Sequence, residues 1–316
     1  MLSPHVPLPE IIDLARLAES LGYTRVWVPD EGLATRDVFV AMTAIAMSTE
    51  RIAIGTGIVN PYTRHPAITA TAIASIDEIS GGRAFLAVGA GGGLSLAPLA
   101  IERRHPVARV REAIEVSRRM FSGNRVTYEG DSVTVKGAAL PYARPDTQIW
   151  FAGRGEQMLR QAGALADGVL LEFLYKPGLE AYVREVRSGA ARTGNRPKLC
   201  YSTTVVPDRS YYDAIRPHMT YRIVDSPPAT KAALGISPEQ VEAIRTAMAD
   251  GLEAAAHLVA DEWIDAFVLV GSADTVATEL RELNAAHGFD EFLLVLADMH
   301  TAATQITQFA AVAAAL

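Results

Sequence analysis

The sequence predicts an α/β chain folded as a parallel (β/α)8 barrel, and three observations carry that prediction. A length of 316 residues exceeds most small single cores but suits one α/β barrel. Short apolar runs alternate with longer amphipathic stretches, the rhythm of βα units around a parallel sheet. The apolar runs are rich in Val, Ile, Leu and Phe without polar alternation, as strands buried on both faces should be.

The elements follow in order. Ile11 to Leu21 repeats its apolar residues at helical spacing, and Gly22 stands where a terminating glycine belongs. Arg25–Asp30 reads as a strand ending in polar residues, followed by strands at Arg51–Gly57, Arg83–Gly89, Gln148–Gly153, Gly168–Phe173, Leu199–Val206 and Glu291–Ala297. Helices are expected at Val107–Phe121, Glu156–Ala166 and Ser272–His287, the last opening on Ser272 as a cap. These are seven strands, one short of a barrel. The first would have to precede the Ile11 helix, where residues 1–9 contain three prolines. Leu2-Ser3 is then either the remnant of a shortened first strand or the place where the barrel closes imperfectly. Residues 207–265 break the rhythm with Tyr211-Tyr212, Pro227-Pro228 and two helical stretches, Pro238–Asp250 and Gly251–Asp265. They read as a helical insertion after the seventh barrel strand, within a single domain spanning 1–316. The Ala-rich end reads as a final helix.

Composition narrows the function classes. The net charge of −7 lacks the Lys/Arg field that attracts nucleic acid. No apolar run reaches the roughly 18 residues needed to cross a bilayer, and the first residues lack a secretory leader pattern. The one cysteine, Cys200, cannot form an internal disulfide and fits a reducing compartment. A cytoplasmic enzyme acting on a small molecule is the expectation.

In such barrels the chemistry lies on loops after the strands. Asp30 and Glu31 follow the first clear strand, and a carboxylate in a water-poor cleft can work as an acid or base; the alternative is that Asp30 caps a helix and Glu31 pairs with Arg36. Gly89-Ala90-Gly91-Gly92-Gly93-Leu94-Ser95 and Gly153-Arg154-Gly155 are glycine-rich. The second leads straight into a helix, where backbone amides and Arg154 can cradle a phosphate; tight turns alone would also use these glycines. Gly89-Ala90-Gly91 begins like a dinucleotide fingerprint, but no acidic residue follows about 20 residues on at a strand end. His65, before Pro66, reads as a proton carrier or a structural loop residue. Glu172 and Lys176 are candidates for substrate binding, with Asp298 and His300 as similar candidates after the last strand. Phe173, Leu174 and Tyr175 would line the substrate side. The histidines are scattered without metal spacing, so no metal site is expected.

The string Gly55-Thr56-Gly57-Ile58-Val59-Asn60-Pro61-Tyr62-Thr63-Arg64-His65-Pro66 resembles the bacterial-luciferase-like oxidoreductases that use the deazaflavin coenzyme F420, in the methylenetetrahydromethanopterin reductase branch. Val26–Glu31 with Arg36-Asp37, Ala70–Arg83, Ala152–Leu159 through Gly168, and Gly271-Ser272 extend the resemblance over most of the chain. It implies a TIM barrel with an insertion after the seventh strand, and commonly a homodimer. It also implies a non-proline cis peptide at Gly57–Ile58, in a bulge behind the cofactor ring. The cofactor-binding residues it points to are Asp30, Thr56, Gly57, Ile58, Asn60, Gly91, Ser95, Gly153, Arg154 and Gly155, with Glu31 and Asp30 as the catalytic pair. Many relatives carry histidine directly after the matching aspartate, where this chain has Glu31. Sugar-phosphate dehydrogenases of the superfamily carry a glutamate where this chain has Gly92, which disfavours a glucose-6-phosphate-type substrate. The leading expectation is hydride transfer between F420 and a C=C or C=N bond, in either direction. An FMN-dependent monooxygenase and a catalytically silent flavin-binding protein are the alternatives.

Overall fold

The computed structural model describes residues 1–314. Two compact units are distinguished in it: Met1–Leu171 with Arg184–Tyr201 and Asp290–Phe292, and Glu172–Val183 with Ser202–Phe289 and the chain from Leu293 onward. The described strands are β1 (Arg25–Val28), β2 (Ala53–Thr56), β3 (Ala84–Gly89), β4 (Val126–Glu129), β5 (Thr134–Ala138), β6 (Ile149–Ala152), β7 (Gly168–Glu172), β8 (Lys198–Val206), β9 (Leu269–Val270) and β10 (Glu291–Val295). The main sheet runs β1-β2-β3-β6-β7-β8-β10, and the pairs from β1 to β7 are parallel. All seven runs read as strands in the sequence contribute to it.

Residues 1–7 form no strand, yet the Leu2 amide donates to the Trp27 carbonyl at 2.9 Å. The shortened first strand therefore survives as a single rung beside β1. Two strand features escaped the sequence reading. One is β9, which pairs in parallel with the end of β8 through Val205↔Leu269 and Val206↔Val270. The other is the antiparallel hairpin β4–β5, whose closing turn is held by the fully buried Glu112. That carboxylate accepts from the Asp131 amide at 2.8 Å, the Ser132 amide at 3.0 Å and the Ser132 hydroxyl at 2.6 Å.

Local chemistry explains the helices. In Leu8–Ser20, Ile11, Leu14, Ala15 and Ala18 are buried at i, i+3, i+4 and i+7 spacing. Pro66–Ser80 starts on Pro66 and stops at Gly81, which takes the left-handed conformation. Ala273–His287 starts on Ser272, whose hydroxyl accepts from the Thr275 amide, and stops at the left-handed Gly288.

The core of the first unit is aromatic. Trp27 meets Phe85 edge-on at 4.7 Å and Trp150 at 5.3 Å. Arg25 lies over the Phe85 and Trp150 rings and pairs with Glu291 at 2.9 Å. The ring of Phe85 occupies the space beside Gly55, where an added Cβ would fall 2.1 Å from it, so glycine in β2 is a packing requirement. In the second unit Met219, Ile223, Ile244, Ile264, Phe267 and Val268 are among the buried residues of a separate apolar cluster. Its helices include Tyr212–Asp225 and Pro228–Ala233, which the sequence reading did not separate out, and Pro238–Ala247. The predicted stretch Gly251–Asp265 is two short helices, Leu252–Ala256 and Asp261–Asp265.

Candidate active site

The end of β1 carries the two carboxylates. The Asp30 amide donates to the Ile58 carbonyl at 3.4 Å, tying this loop to the bulge after β2. Its side chain accepts from the Gly32 amide at 3.2 Å, closing a turn instead of capping a helix. Burial pushes the Asp30 carboxyl above the ordinary aspartate range and Asp37 adds to this, against the opposing pull of the Gly32 amide and Arg64. Asp30 therefore holds a proton to higher pH than a solvated aspartate does.

Glu31 does not pair with Arg36. Its carboxylate lies 3.2 Å from His5 Nε2, and His5 Nδ1 lies 2.6 Å from the Ser3 hydroxyl. Arg36 instead donates through Nη1 to the carbonyls of Pro4 at 3.2 Å and His5 at 2.7 Å. Asp37 caps the helix Val38–Ser48, accepting from the Phe39 and Val40 amides, and pairs with Arg64 at 3.2 Å.

After β2 the backbone detours. The Gly57–Ile58 peptide is cis, as the resemblance implied. The Gly57 amide donates to the Val28 carbonyl, and the chain then rejoins the sheet with Val59 bridging Val88. Thr56 is fully buried; its hydroxyl donates to the Ala87 carbonyl at 2.7 Å and accepts from the Ala87 amide at 2.8 Å. Thr56 thus braces the bulge through β3. Asn60 folds the next turn, its Oδ1 accepting from the Tyr62 and Thr63 amides at 2.9 and 3.0 Å. His65 is the cap of Pro66–Ser80, with Nδ1 accepting from the Ala67 amide at 3.2 Å. That bond gives His65 a structural role.

After β3, Gly91 adopts φ 68° and its carbonyl accepts from Arg103 at 3.0 Å. Ser95 is buried, with its amide bonded to the Gly92 carbonyl. After β6, Gly155 opens the helix Glu156–Leu165 with no side-chain cap, and a Cβ there would enter open space. Arg154 is half-buried and makes no hydrogen bond or ion pair to any described residue. Uncapped amides, an uncommitted guanidinium and open space at a helix start form a setting for an anion.

The second unit holds the predicted substrate residues. Glu172 ends β7 and lies 3.4 Å from Arg222, whose guanidinium stacks on Phe173 at 5.1 Å. Phe173 itself has φ 51°, and its amide donates to the Ser202 carbonyl at 2.7 Å. Lys176 Nζ is committed to the Val268 carbonyl and to Glu279, both at 2.7 Å. Asp298 accepts from the His300 amide at 3.0 Å. Among the described residues no cluster could hold a metal ion.

His5 and Ser3 were missed by the sequence reading because residues 1–9 were weighed only as a failed strand; a Ser-x-His spacing was the available signal. Arg222 was missed because it lies some 50 residues from Glu172 in the chain.

A parallel sheet with carboxylates at one strand end, a backbone bulge at the next and an anion setting at a third is the arrangement of a barrel with its site at the strand ends, open to an anionic small molecule. Comparison with known proteins gives the particular family. Residues 1–291 match the luciferase-like monooxygenase family, and the chain belongs to it. It is 33% identical over 289 residues to the 5,10-methylenetetrahydromethanopterin reductase of Methanolobus tindarius, covering 89% of this chain and 88% of that one. The Archaeoglobus fulgidus reductase is 32% identical, with 90% and 88% covered. The coenzyme F420-dependent tetrahydromethanopterin reductase structure from Methanopyrus kandleri superposes with a TM-score of 0.85 at 27% identity, covering 97% and 96%. The fold is therefore the luciferase-like TIM barrel.

Proposed function

We propose that this protein is an F420-dependent oxidoreductase that moves a hydride between the deazaflavin and a small organic substrate with a C=N or C=C bond. The observation that carries the reading is the pairing of the backbone detour after β2, between Gly57 and Val59, with the uncapped Gly155 helix start and the uncommitted Arg154. One element backs a planar ring and the other takes an anionic tail. F420 supplies the carbon that gives or accepts the hydride. Asp30, Gly57, Ile58, Gly91, Ser95, Gly153, Arg154 and Gly155 would hold it. Thr56 and Asn60 act behind them, fixing the bulge and the following turn.

Glu31 supplies or accepts the accompanying proton. Burial raises the Asp30 carboxyl above the ordinary aspartate range, so of the two neighbouring groups it is the one whose charged form is disfavoured. The extent of the match to reductases acting on methylenetetrahydromethanopterin favours a reduced pterin carrying a one-carbon unit. Glu172 is the proposed contact for the polar edge of such a substrate. Lys176 is the second proposed substrate residue, its Nζ held by the Val268 carbonyl and Glu279.

We further propose a homodimer. Val40 and Met47 on the helix Val38–Ser48, and Ile68 and Ile79 on the helix Pro66–Ser80, are each more than half exposed. The two helices pack side by side, so these apolar residues present a shared surface of the kind a second copy covers. The enzyme works in the cytoplasm, in keeping with its one buried, unpaired cysteine.

A side-by-side titration with F420 and FMN tests the cofactor, followed by turnover with reduced F420 and methylenetetrahydromethanopterin. Tight binding of F420 alone, with oxidation of the reduced cofactor by the pterin, is the expected result. Binding of FMN alone would replace this reading with an oxygen-activating monooxygenase. Binding without turnover of any C=N or C=C acceptor would leave a silent binding protein.

A further inference from the structure

We propose that His5 is a positioning residue and proton relay for Glu31, so that Ser3, His5 and Glu31 form one hydrogen-bonded chain from solvent to the working carboxylate. The inference rests on the role given to Glu31 above and adds the group that refills it.

The geometry is that of a linked chain. Nε2 of His5 is 3.2 Å from the Glu31 carboxylate and Nδ1 is 2.6 Å from the Ser3 hydroxyl. Both ring nitrogens are thereby engaged in either charge state. With neutral imidazole, Nε2–H donates to Glu31 while Nδ1 accepts from Ser3; with imidazolium, Nδ1–H donates to the Ser3 oxygen.

The segment carrying the imidazole is held at several points. Leu2 donates to Trp27 at 2.9 Å, the Arg36 amide donates to Pro4 at 3.2 Å, and the Arg36 guanidinium grips the Pro4 and His5 carbonyls. Leu2, Pro4 and Val6 are buried around it. Such anchoring is far more than an exposed histidine needs, and it sets the ring against Glu31.

The surrounding charges leave this pairing to His5. Asp37 is answered by Arg64, Arg36 by backbone carbonyls, and Asp30 by the Gly32 amide. The imidazole is 44% exposed and the Glu31 side chain 38%, so the chain opens to water at its outer end.

The proton balance closes. When hydride adds to the carbon of a C=N bond, the bond's electron pair moves to nitrogen and takes one proton. Glu31 gives that proton and becomes a carboxylate. Imidazolium Nε2–H returns a proton to it, leaving neutral imidazole. Nδ1 keeps its proton and stays hydrogen-bonded to the Ser3 oxygen, and the vacated Nε2 takes the next proton from solvent, to which the ring is open.

Two measurements test the relay. The first compares the ring nitrogen resonances of His5 in the cofactor-free protein with and without Glu31→Gln. The Nε2 resonance should move on substitution, because an amide replaces the carboxylate it faces. The second is the pH–rate profile of His5→Asn and His5→Gln, which retain polar side chains without titrating near neutrality. Both should lower kcat about tenfold, less than the roughly 100-fold or more that a group acting directly on the substrate contributes, and should flatten the limb near neutral pH. KM and F420 affinity should stay close to those of the unsubstituted protein.

An unchanged His5 Nε2 resonance in Glu31→Gln overturns the coupling. Full kcat with an unaltered pH profile in His5→Asn overturns the relay, even if Glu31→Gln is inactive. Failure of the cofactor reading is separate and visible: the unsubstituted protein would not bind F420, whereas a moved Nε2 resonance would still support the Ser3–His5–Glu31 couple.

Discussion

Arg154 and the residues around it illustrate what single side chains contribute here. Its guanidinium has no partner among the described residues, and it stands immediately before a helix start with no side-chain cap. A cation so placed adds its charge to the amide dipoles of the helix. Arg154→Ala should therefore weaken F420 binding by about tenfold, or about 1.4 kcal/mol, with melting temperature nearly unchanged. A fluorescence titration measures the first and a thermal melt the second; an unaltered dissociation constant would remove Arg154 from the site. Arg154, Gly155 and the Asp30-Glu31 pair were legible because their chemistry depends on neighbours in the chain, a strand end or a helix start. The Glu31–His5 contact was not legible, since it joins residues 26 positions apart through a segment without regular structure. For Thr56 the resemblance implied a place beside the cofactor ring, and the structure adds that its hydroxyl donates to and accepts from the Ala87 backbone.

At the scale of elements, the β4–β5 hairpin depends on a carboxylate borrowed from a helix. Glu112, in Pro106–Phe121, is buried, and burial alone would push its carboxyl upward. The Ser132 hydroxyl and the Ser132 and Asp131 amides outweigh that effect and hold it below the ordinary glutamate range. The sign of the pH effect follows. A depressed folded-state value contributes stability above the unfolded value, about 4.3 for glutamate, and that stability is lost as pH falls through the folded value. Glu112→Ala should cost on the order of 3 kcal/mol by leaving buried donors without acceptors. Glu112→Gln should show a shallower loss of stability on acidification below about pH 4.3 than the unsubstituted chain. Denaturant melts across that range check both, and identical acid limbs in the two proteins would refute the argument. The hairpin was passed over because β4 alternates apolar with polar residues, whereas the sheet strands were recognised as unbroken apolar runs. β9 is only two residues long, too short for any periodicity. The helix Tyr212–Asp225 contains Pro217 and buries Tyr212, Ile215, Met219 and Ile223 together with Thr220 and Arg222, so it lacks the one-sided pattern that marks an amphipathic helix.

For the whole molecule, the proposed homodimer singles out one surface for test. The helix Val38–Ser48 is almost wholly apolar in sequence, but no core covers its Val40–Met47 edge, and the neighbouring helix offers Ile68 and Ile79 in line with it. Small residues between them, Ala44, Ala72 and Ser75, allow close approach of another helix. The double variant Met47→Glu with Ile68→Glu should shift the protein from dimer to monomer in light scattering while leaving F420 affinity intact. A monomeric unsubstituted protein, or a variant that stays dimeric, would exclude this surface. The sheet order could be anticipated from the strand rhythm, because each buried strand carries its own apolar run. The gathering of residues 172–183, 202–289 and 293 onward into one unit could not. It draws on chain segments far apart in sequence, and non-local packing leaves no periodic trace.

The aromatic core has a practical consequence. The chain contains three tryptophans: Trp27 and Trp150 meet edge-on in the first unit, and Trp263 is buried in the apolar cluster of the second. Each unit thus carries its own tryptophan emission. Replacing Trp263 with phenylalanine confines that emission to the first unit, and replacing the edge-on pair confines it to the second. One chain therefore offers two optical channels for asking whether its units melt in a single step or one after the other.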